Sequence, residues 1–121
     1  MKYLCLIYDE EKKMAAMAKS EADAFMGEYF AFTNDIRAKG QYVSGEALQP
    51  VSTATTVRVR GGSIVTTDGP FAETTEQLGG FYLIEARDLN DAIHVAAKIP
   101  SSRIGSIEIR PVVDFSQSEN P

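Results

Sequence analysis

The strongest candidate for chemistry in this sequence is the carboxylate of Asp68, which ends a strand-like segment and begins the run Asp68-Gly69-Pro70-Phe71. A carboxylate at a strand end can project into a cleft, where partial desolvation raises its pKa towards the range of a general acid or base. Asp-Gly is also frequent in turns without function, in which the aspartate bonds its own backbone and the glycine takes a positive φ. The sequence leaves both interpretations open.

Two further acids, Glu73 and Glu76, follow in the same connector, which spans residues 68–78. Because they are three residues apart, they would share one face of a short helical turn. We predict Glu73 as the second catalytic carboxylate; the alternative is that both acids simply sit beside a helix dipole. No histidine or cysteine lies nearby to ligate a transition metal, so we predict no metal and no cofactor.

Six residues are predicted to contact a ligand, because they could form the walls or the loop of a pocket: Tyr8, Arg58, Gly69, Pro70, Phe71 and Tyr82. An arginine at position 58 could hold a carboxylate or a phosphate through two parallel hydrogen bonds. The competing interpretations are that Arg58 protects an exposed strand edge and that the aromatic side chains belong to the core.

The single histidine and the single cysteine are not predicted to be catalytic. His94 lies off the apolar stripe of its predicted helix, so we expect its side chain to point to solvent. Cys5 lies within the apolar run Tyr3–Tyr8, which is typical of a core thiol in a reducing compartment. The sequence contains no phosphate-binding glycine loop, nucleophile elbow or dinucleotide fingerprint.

Composition predicts one globular domain over residues 1–113 and a polar tail over residues 114–121. The 121 residues are 44% hydrophobic and 24% charged, which suits a single packed core. The net charge of −5 argues against a nucleic-acid partner, because phosphate binding needs a basic surface. The apolar run at the start is too short for a leader or a membrane span, so we predict a cytoplasmic protein without a membrane partner.

The hydrophobic periodicity predicts two halves of the order strand, helix, strand. The first half has a strand over residues 2–8, a helix that begins at an N-cap Ser20 and ends at Gly40, and a strand over 41–48. The second has a strand over 81–86, a helix capped by Asp88, and a strand over 104–113. Apolar spacing predicts the inner stripe of each helix: Ala22, Phe25, Met26, Tyr29, Phe32, Thr33 and Ile36 in the first, and Leu89, Ala92, Ile93 and Ala96 in the second. Between the halves, Gly61-Gly62 predicts the turn of a hairpin over 55–67.

This order predicts an α+β fold of the ferredoxin-like, split βαβ kind, with an inserted hairpin and connector. Both helices would cover one face of an antiparallel sheet. The first strand is apolar on both faces, so the helix-free face needs cover as well. Burial against a second copy of the chain would provide it, and we therefore predict a homodimer.

The connector residues resemble those of the DGPF-motif branch of the YCII-related proteins. The similarity extends through most of the chain, over the segments 1–8, 29–32, 68–73, 76–85 and 99–111. The resemblance implies the dimeric α+β barrel fold, in which two ferredoxin-like subunits join their sheets and leave a cavity near the interface. Relatives in the wider superfamily include a lyase that removes chloride from a ring-cleavage product, and monooxygenases. Members of the branch are often encoded beside alternative sigma factors.

Two functions stay open at this point. The first is a lyase-like or hydrolase-like enzyme, which transforms a small organic molecule in an interface cavity with Asp68 as acid and base. The second is a ligand-binding or regulatory module without catalysis, which the resemblance would connect to a sigma-factor pathway. The mechanism proposed for the YCII superfamily uses a histidine-aspartate pair in the cleft. The one histidine of this sequence, His94, is expected at the surface, and this favours the second function. A third possibility is that the connector only forms the dimer.

Overall fold

The computed structural model describes residues 1–117, and it confirms the predicted α+β, ferredoxin-like architecture. Its strands and helices are β1 (Lys2–Asp9), α1 (Glu11–Ala15), α2 (Lys19–Ala38), β2 (Tyr42–Ala47), β3 (Thr55–Arg60), β4 (Ser63–Asp68), β5 (Gln77–Glu85), α3 (Leu89–Ala96) and β6 (Ser106–Pro111). Four strands form one antiparallel sheet in the order β2-β5-β1-β6. Strands β3 and β4 form a separate two-stranded sheet.

Strand β1 is the central element of the core, and its alternation is the one that the sequence predicts. Tyr3, Cys5 and Ile7 are buried beneath the helices. Leu4 and Leu6 lie on the opposite face and are only half-buried. Because paired residues of an antiparallel sheet share a face, Leu83 and Phe81 of β5 lie beside them. The helix-free face of the sheet is therefore apolar at its centre.

Helix α2 packs along the sheet with the C-terminal part of the predicted stripe, where Phe32 and Ile36 are buried, whereas Met26 nearer the start of the stripe is 54% exposed. The predicted N-cap at Ser20 is wrong, because the helix begins at Lys19. The Glu21 carboxylate instead accepts a hydrogen bond from the backbone N–H of Ala18. A glutamate three positions into a helix can satisfy one of the free N–H groups at its start without a capping serine.

Helix α3 begins where the sequence predicts, since the Asp88 side chain accepts a hydrogen bond from the backbone N–H of Asp91 at 2.8 Å. Its buried face differs from the prediction. Ala92, Val95 and Ala96 are buried, whereas two apolar residues expected inside, Leu89 and Ile93, are about half exposed. His94 is exposed, as predicted. After the helix, the short 3-10 turn Pro100–Arg103 brings Ser101 into the core.

The hairpin of β3 and β4, called the arm below, turns at Gly61 and Gly62 as predicted. Both glycines have positive φ, 58° and 79°, which a two-residue hairpin turn requires. Val57, Val59 and Ile64 are between 60% and 76% exposed. Two-stranded sheets are marginally stable alone, and residues 1–117 give these apolar side chains of the arm little cover.

Within residues 1–117, no helix combines the length and the apolar character needed to cross a membrane. The predicted tail of residues 114–121 begins with a single 3-10 turn, Phe115–Gln117. The rest of that prediction, residues 118–121, lies outside the described part of the chain.

Candidate functional site

An apolar cavity of about 470 Å³ lies between helix α2 and the β2–β5 side of the sheet. Aromatic and methionine side chains dominate its lining, among them Met14, Phe25, Met26, Tyr29, Phe30, Tyr42 and Tyr82. Glycines of the sheet keep strands β2 and β5 close together at its floor. A Cβ atom on Gly80 would lie 2.7 Å from the Glu46 carbonyl oxygen, so no other residue fits there. This space is called the aromatic cavity below.

Asp9, the last residue of β1, lines the aromatic cavity on the helix-covered side of the sheet. One of its carboxylate oxygens, Oδ2, accepts a hydrogen bond from the Ser101 hydroxyl at 2.9 Å. The same Ser101 oxygen lies 2.5 Å from the Tyr29 hydroxyl of helix α2. Ser101 itself is fully buried. Three elements far apart in the sequence thus form one chain of polar groups, Tyr29–Ser101–Asp9.

The environment of Asp9 raises the pKa of its carboxyl. Burial raises the pKa of the Asp9 carboxyl above its ordinary value of 3.8, and the negative charge of Glu76 adds to the increase, while the hydrogen bond from Ser101 opposes it. The second carboxylate oxygen, Oδ1, is buried and has no hydrogen-bond partner among residues 1–117. A buried oxygen without a partner is costly, above all when it carries charge. Such a carboxyl is suited to take up or release a proton.

Two tyrosine hydroxyls at the aromatic cavity are also held by hydrogen bonds. The Thr33 hydroxyl donates to the backbone carbonyl of Tyr29 at 2.9 Å, and its oxygen lies 2.7 Å from the Tyr82 hydroxyl. Burial raises the pKa of Tyr29 to about 12 and also raises that of Tyr82. Both phenols therefore stay protonated at neutral pH and act through hydrogen bonds.

A second, wider groove of about 720 Å³ lies between the connector and the loop that follows β2. Pro70, Phe71 and Glu73 line it, as does Thr56 of the arm. The Phe71 side chain is 82% exposed, so its ring covers little of this groove. We call it the connector groove.

Hydrogen bonds from α1 and β5 hold the connector groove in place. The Gln77 side chain accepts from the backbone N–H of Glu11 and donates to the carbonyl of Thr74. The Glu11 carboxylate accepts from the backbone N–H of Val51 at 3.0 Å. The groove is therefore an ordered surface with apolar walls and a single lining carboxylate, Glu73.

The structure does not bring the predicted site residues together. Tyr82 lies in the aromatic cavity, whereas Pro70, Phe71 and Glu73 lie in the connector groove. Tyr8 is on the helix-free face of the sheet, where its hydroxyl donates to Glu108. The residues of the arm that were predicted to act with them, Asp68 and Arg58, are exposed and line neither space.

The local geometry at Asp68 is that of a turn. Gly69 has a φ of 100°, and its backbone N–H donates to the carbonyl of Ala54 at 2.7 Å. The Thr56 hydroxyl closes the same turn by donating to the Gly69 carbonyl. These bonds fit the turn interpretation of Asp-Gly, while the predicted catalytic role of Asp68 stays a prediction.

Sequence reasoning missed Asp9, Tyr29 and Ser101 as a site. One signal was available for Asp9. It continues the buried alternation of Tyr3, Cys5 and Ile7, and this alternation predicts that its carboxylate lies on the core face of the sheet. No local signal joins residues 9, 29 and 101, because their contact depends on tertiary packing. In residues 1–117, no three side chains of histidine, cysteine, aspartate or glutamate cluster as a metal site would require.

Comparison with known proteins places this fold and sequence in a family. The family model of the YCII-related domain matches residues 1–116. An uncharacterised protein of Rhizobium meliloti (strain 1021) is 34% identical over 123 residues, an alignment that covers 100% of this chain and 99% of that protein. A match over nearly the whole length in both comparisons leads to one conclusion: this chain belongs to the YCII-related family.

Proposed function

We propose that this YCII-related chain binds a small organic molecule in the aromatic cavity, with Asp9 as the group that exchanges a proton with it. The observation that carries the proposal is the Asp9 carboxyl: it lines an aromatic cavity, has one buried oxygen without a partner in the described chain, and bonds through Ser101 to Tyr29. Pockets with apolar walls and few polar groups are the usual sites of small ligands.

The polar chain supports acid and base chemistry. An ionised Asp9 accepts the Ser101 proton, and Ser101 in turn accepts the Tyr29 proton. When Asp9 takes up a proton on Oδ2, it becomes the donor to Ser101, so the bonds of the chain can reverse in direction. A carboxyl with a raised pKa is a suitable base for a weakly acidic C–H or O–H group of a ligand. This is the carboxylate acid and base chemistry of the enzyme hypothesis, centred on Asp9 instead of Asp68.

The binding part of the proposal is tested with benzyl alcohol, a neutral ring compound of suitable size. We expect it to increase the unfolding free energy of the wild-type chain by RT ln(1 + [L]/Kd), which is about 1.4 kcal/mol at ten times Kd. This gain corresponds to a rise of roughly 6 °C in melting temperature. Ala47→Trp would abolish the shift, because Ala47 is exposed at the rim of the cavity and the indole would fill it. Val43→Trp is the matched control: Val43 is also exposed on β2 but does not line the cavity.

The two candidate carboxylates are compared directly. Asp9→Asn and Asp68→Asn remove the same charge, one inside the cavity and one on the exposed arm. The carbon-13 resonance of the Asp9 carboxyl should titrate above pH 3.8 and move when benzyl alcohol is added. A response at Asp68 with none at Asp9 would return the role to Asp68. No shift of melting temperature with the ring compound would count against the binding site itself.

A non-catalytic role has support of its own, because Phe71 is 82% exposed in the connector and the arm carries exposed apolar residues, among them Val57, Val59 and Ile64. Such surfaces are typical of interfaces with another protein. The homodimer predicted from the sequence would bury the helix-free face of the sheet, with Leu4, Leu6, Phe81 and Leu83 at its centre. The arm and Phe71 would then extend that interface.

Sedimentation equilibrium tests the dimer. Leu6→Lys places a cation next to Glu108 of the neighbouring strand, so the isolated subunit can tolerate it, but a sheet-to-sheet interface cannot. We expect a dimer for the wild type and a folded monomer for this variant. Met26→Lys, on the opposite side of the subunit and 54% exposed, should remain dimeric. A monomeric wild type at working concentration would refute this part of the proposal.

A further inference from the structure

The hydroxyl protons around Asp9 already form hydrogen bonds within the protein. The Ser101 hydroxyl has a single proton, which it donates to Asp9 Oδ2. The contact of 2.5 Å between Tyr29 and Ser101 must therefore use the Tyr29 proton. While Asp9 is ionised, the Tyr29 oxygen has only lone pairs left for a ligand.

The same count applies to the second tyrosine of the aromatic cavity. Thr33 donates its one proton to the Tyr29 carbonyl. The contact of 2.7 Å between Thr33 and Tyr82 must then use the Tyr82 proton. Tyr82, like Tyr29, offers an acceptor. In the described chain, Tyr42 keeps the one lining hydroxyl whose proton has no such acceptor.

The charges of the lining agree with this count. Asp9 lines the cavity with its carboxylate, and no lysine, arginine or histidine of residues 1–117 lines it. Glu46 contributes no charge there, because it pairs with Phe81 and its side chain therefore lies on the helix-free face. Arg37 lies 4.5 Å from the centre of the Tyr42 ring but is not a lining residue. A carboxylate or a phosphate that entered this cavity would lose its hydration, and no lining cation would pair with it.

The aromatic rings complete the pattern. Tyr29 packs edge to face with Phe25, with ring centres 5.5 Å apart, and Tyr42 does so with Tyr82 at 6.3 Å. Aromatic faces attract cations, and the attraction strengthens when the cation is removed from water. An ammonium group here would meet carboxyl oxygens, phenol oxygens and ring faces together.

We propose that the aromatic cavity selects small aromatic amines over carboxylates of the same size. This inference rests on the proposed function of the cavity and specifies its ligand class. The ammonium group of the ligand would donate hydrogen bonds to Asp9, and its ring would pack between Phe25 and Tyr82. Arg58, which was predicted to hold a carboxylate or a phosphate, does not line this cavity and supplies no cation to it.

Three compounds with one ring and different charge test the inference by titration calorimetry of the full chain at pH 7. Benzylamine is a cation, benzyl alcohol is neutral and benzoate is an anion at this pH. We expect benzylamine to bind at least tenfold more tightly than benzoate, with benzyl alcohol between them. Asp9→Asn should reduce the ratio of the benzylamine and benzoate affinities at least tenfold. Asp23→Asn, which removes the same charge from the exposed face of α2, should leave this ratio unchanged.

The outcomes separate this inference from the proposed function. If benzoate binds as tightly as benzylamine, and Ala47→Trp abolishes that binding, the cavity is a ligand site but the inferred ligand class is wrong. If the preference for benzylamine survives Asp9→Asn, the selection does not come from the cavity carboxylate and the inference also fails. If none of the three compounds binds, the proposed function is overturned and this inference with it.

Discussion

Replacement of Ser101 by alanine is the sharpest structural test of the polar chain. Ser101 is fully buried, and its hydroxyl joins Asp9 at 2.9 Å and Tyr29 at 2.5 Å. The bond from Tyr29 contributes about 0.5–1.5 kcal/mol, and the bond to a carboxylate about 1.5–3 kcal/mol. Ser101→Ala removes both and leaves two groups without partners. We expect a loss of about 2–4 kcal/mol in the free energy of unfolding, or roughly 8–16 °C in melting temperature.

Urea denaturation provides the measurement, and the neighbouring serine provides the control. Ser102 donates one hydrogen bond, to the carbonyl of Ala97 at 2.9 Å, and its residue is only half-buried. Ser102→Ala should therefore cost less than about 1 kcal/mol. The double variant Tyr29→Phe and Ser101→Ala should lose less than the sum of the two single losses, by about 0.5 kcal/mol or more, because both changes remove the same bond. A Ser101→Ala protein within 0.5 kcal/mol of the wild type would refute the chain as a structural element.

Three further predictions follow from single residues. Burial raises the pKa of Asp9, so the protonated carboxyl contributes most to the stability of the fold below pH 3.8, and this contribution is lost as the pH rises through the folded-state pKa. The unfolding free energy of the wild type minus that of Asp9→Asn should therefore fall over this pH interval. A rise of this difference would contradict the burial of the Asp9 carboxyl. Gly105→Ala should destabilise by about 2 kcal/mol or more in urea, because a Cβ there would lie 2.1 Å from the Tyr8 carbonyl oxygen; Gly27→Ala, with no atom within 4 Å, should stabilise helix α2 by about 0.5–1 kcal/mol. Burial raises the pKa of the Cys5 thiol to about 11, so a disulfide reagent at pH 7 should modify Cys5 only after denaturation. Rapid reaction of the folded protein would show that β1 is not a buried core strand.

The sequence was most informative where structure is local. The alternation of β1, the turn at Gly61-Gly62 and the cap at Asp88 each depend on residues within a few positions of one another, and all three are confirmed. The start of helix α2 was placed wrongly at Ser20, because the carboxylate of Glu21 competes with a serine cap and the two signals overlap in sequence.

The candidate site was less accessible to sequence reasoning for a physical reason. Asp68 was conspicuous because its neighbours Gly69 and Pro70 form a recognisable local pattern, yet that pattern specifies a turn equally well. Asp9 bonds to Ser101, 92 positions away, and only through Ser101 is it joined to Tyr29 of helix α2. No single segment specifies the packing that brings these three residues together. The exposure of Leu89 and Ile93, which were expected on the inner face of α3, also depends on packing, because packing shifts the buried stripe of the helix by part of a turn.

Nuclear Overhauser contacts between bound benzylamine and the protein are the most direct test that the aromatic cavity is the ligand site. We expect contacts from the ring protons of the ligand to the rings of Phe25, Tyr29 and Tyr82, and from its methylene group to protons near Asp9. Contacts to Phe71 in the connector groove, with none to Tyr29 or Tyr82, would contradict the aromatic cavity as the ligand site.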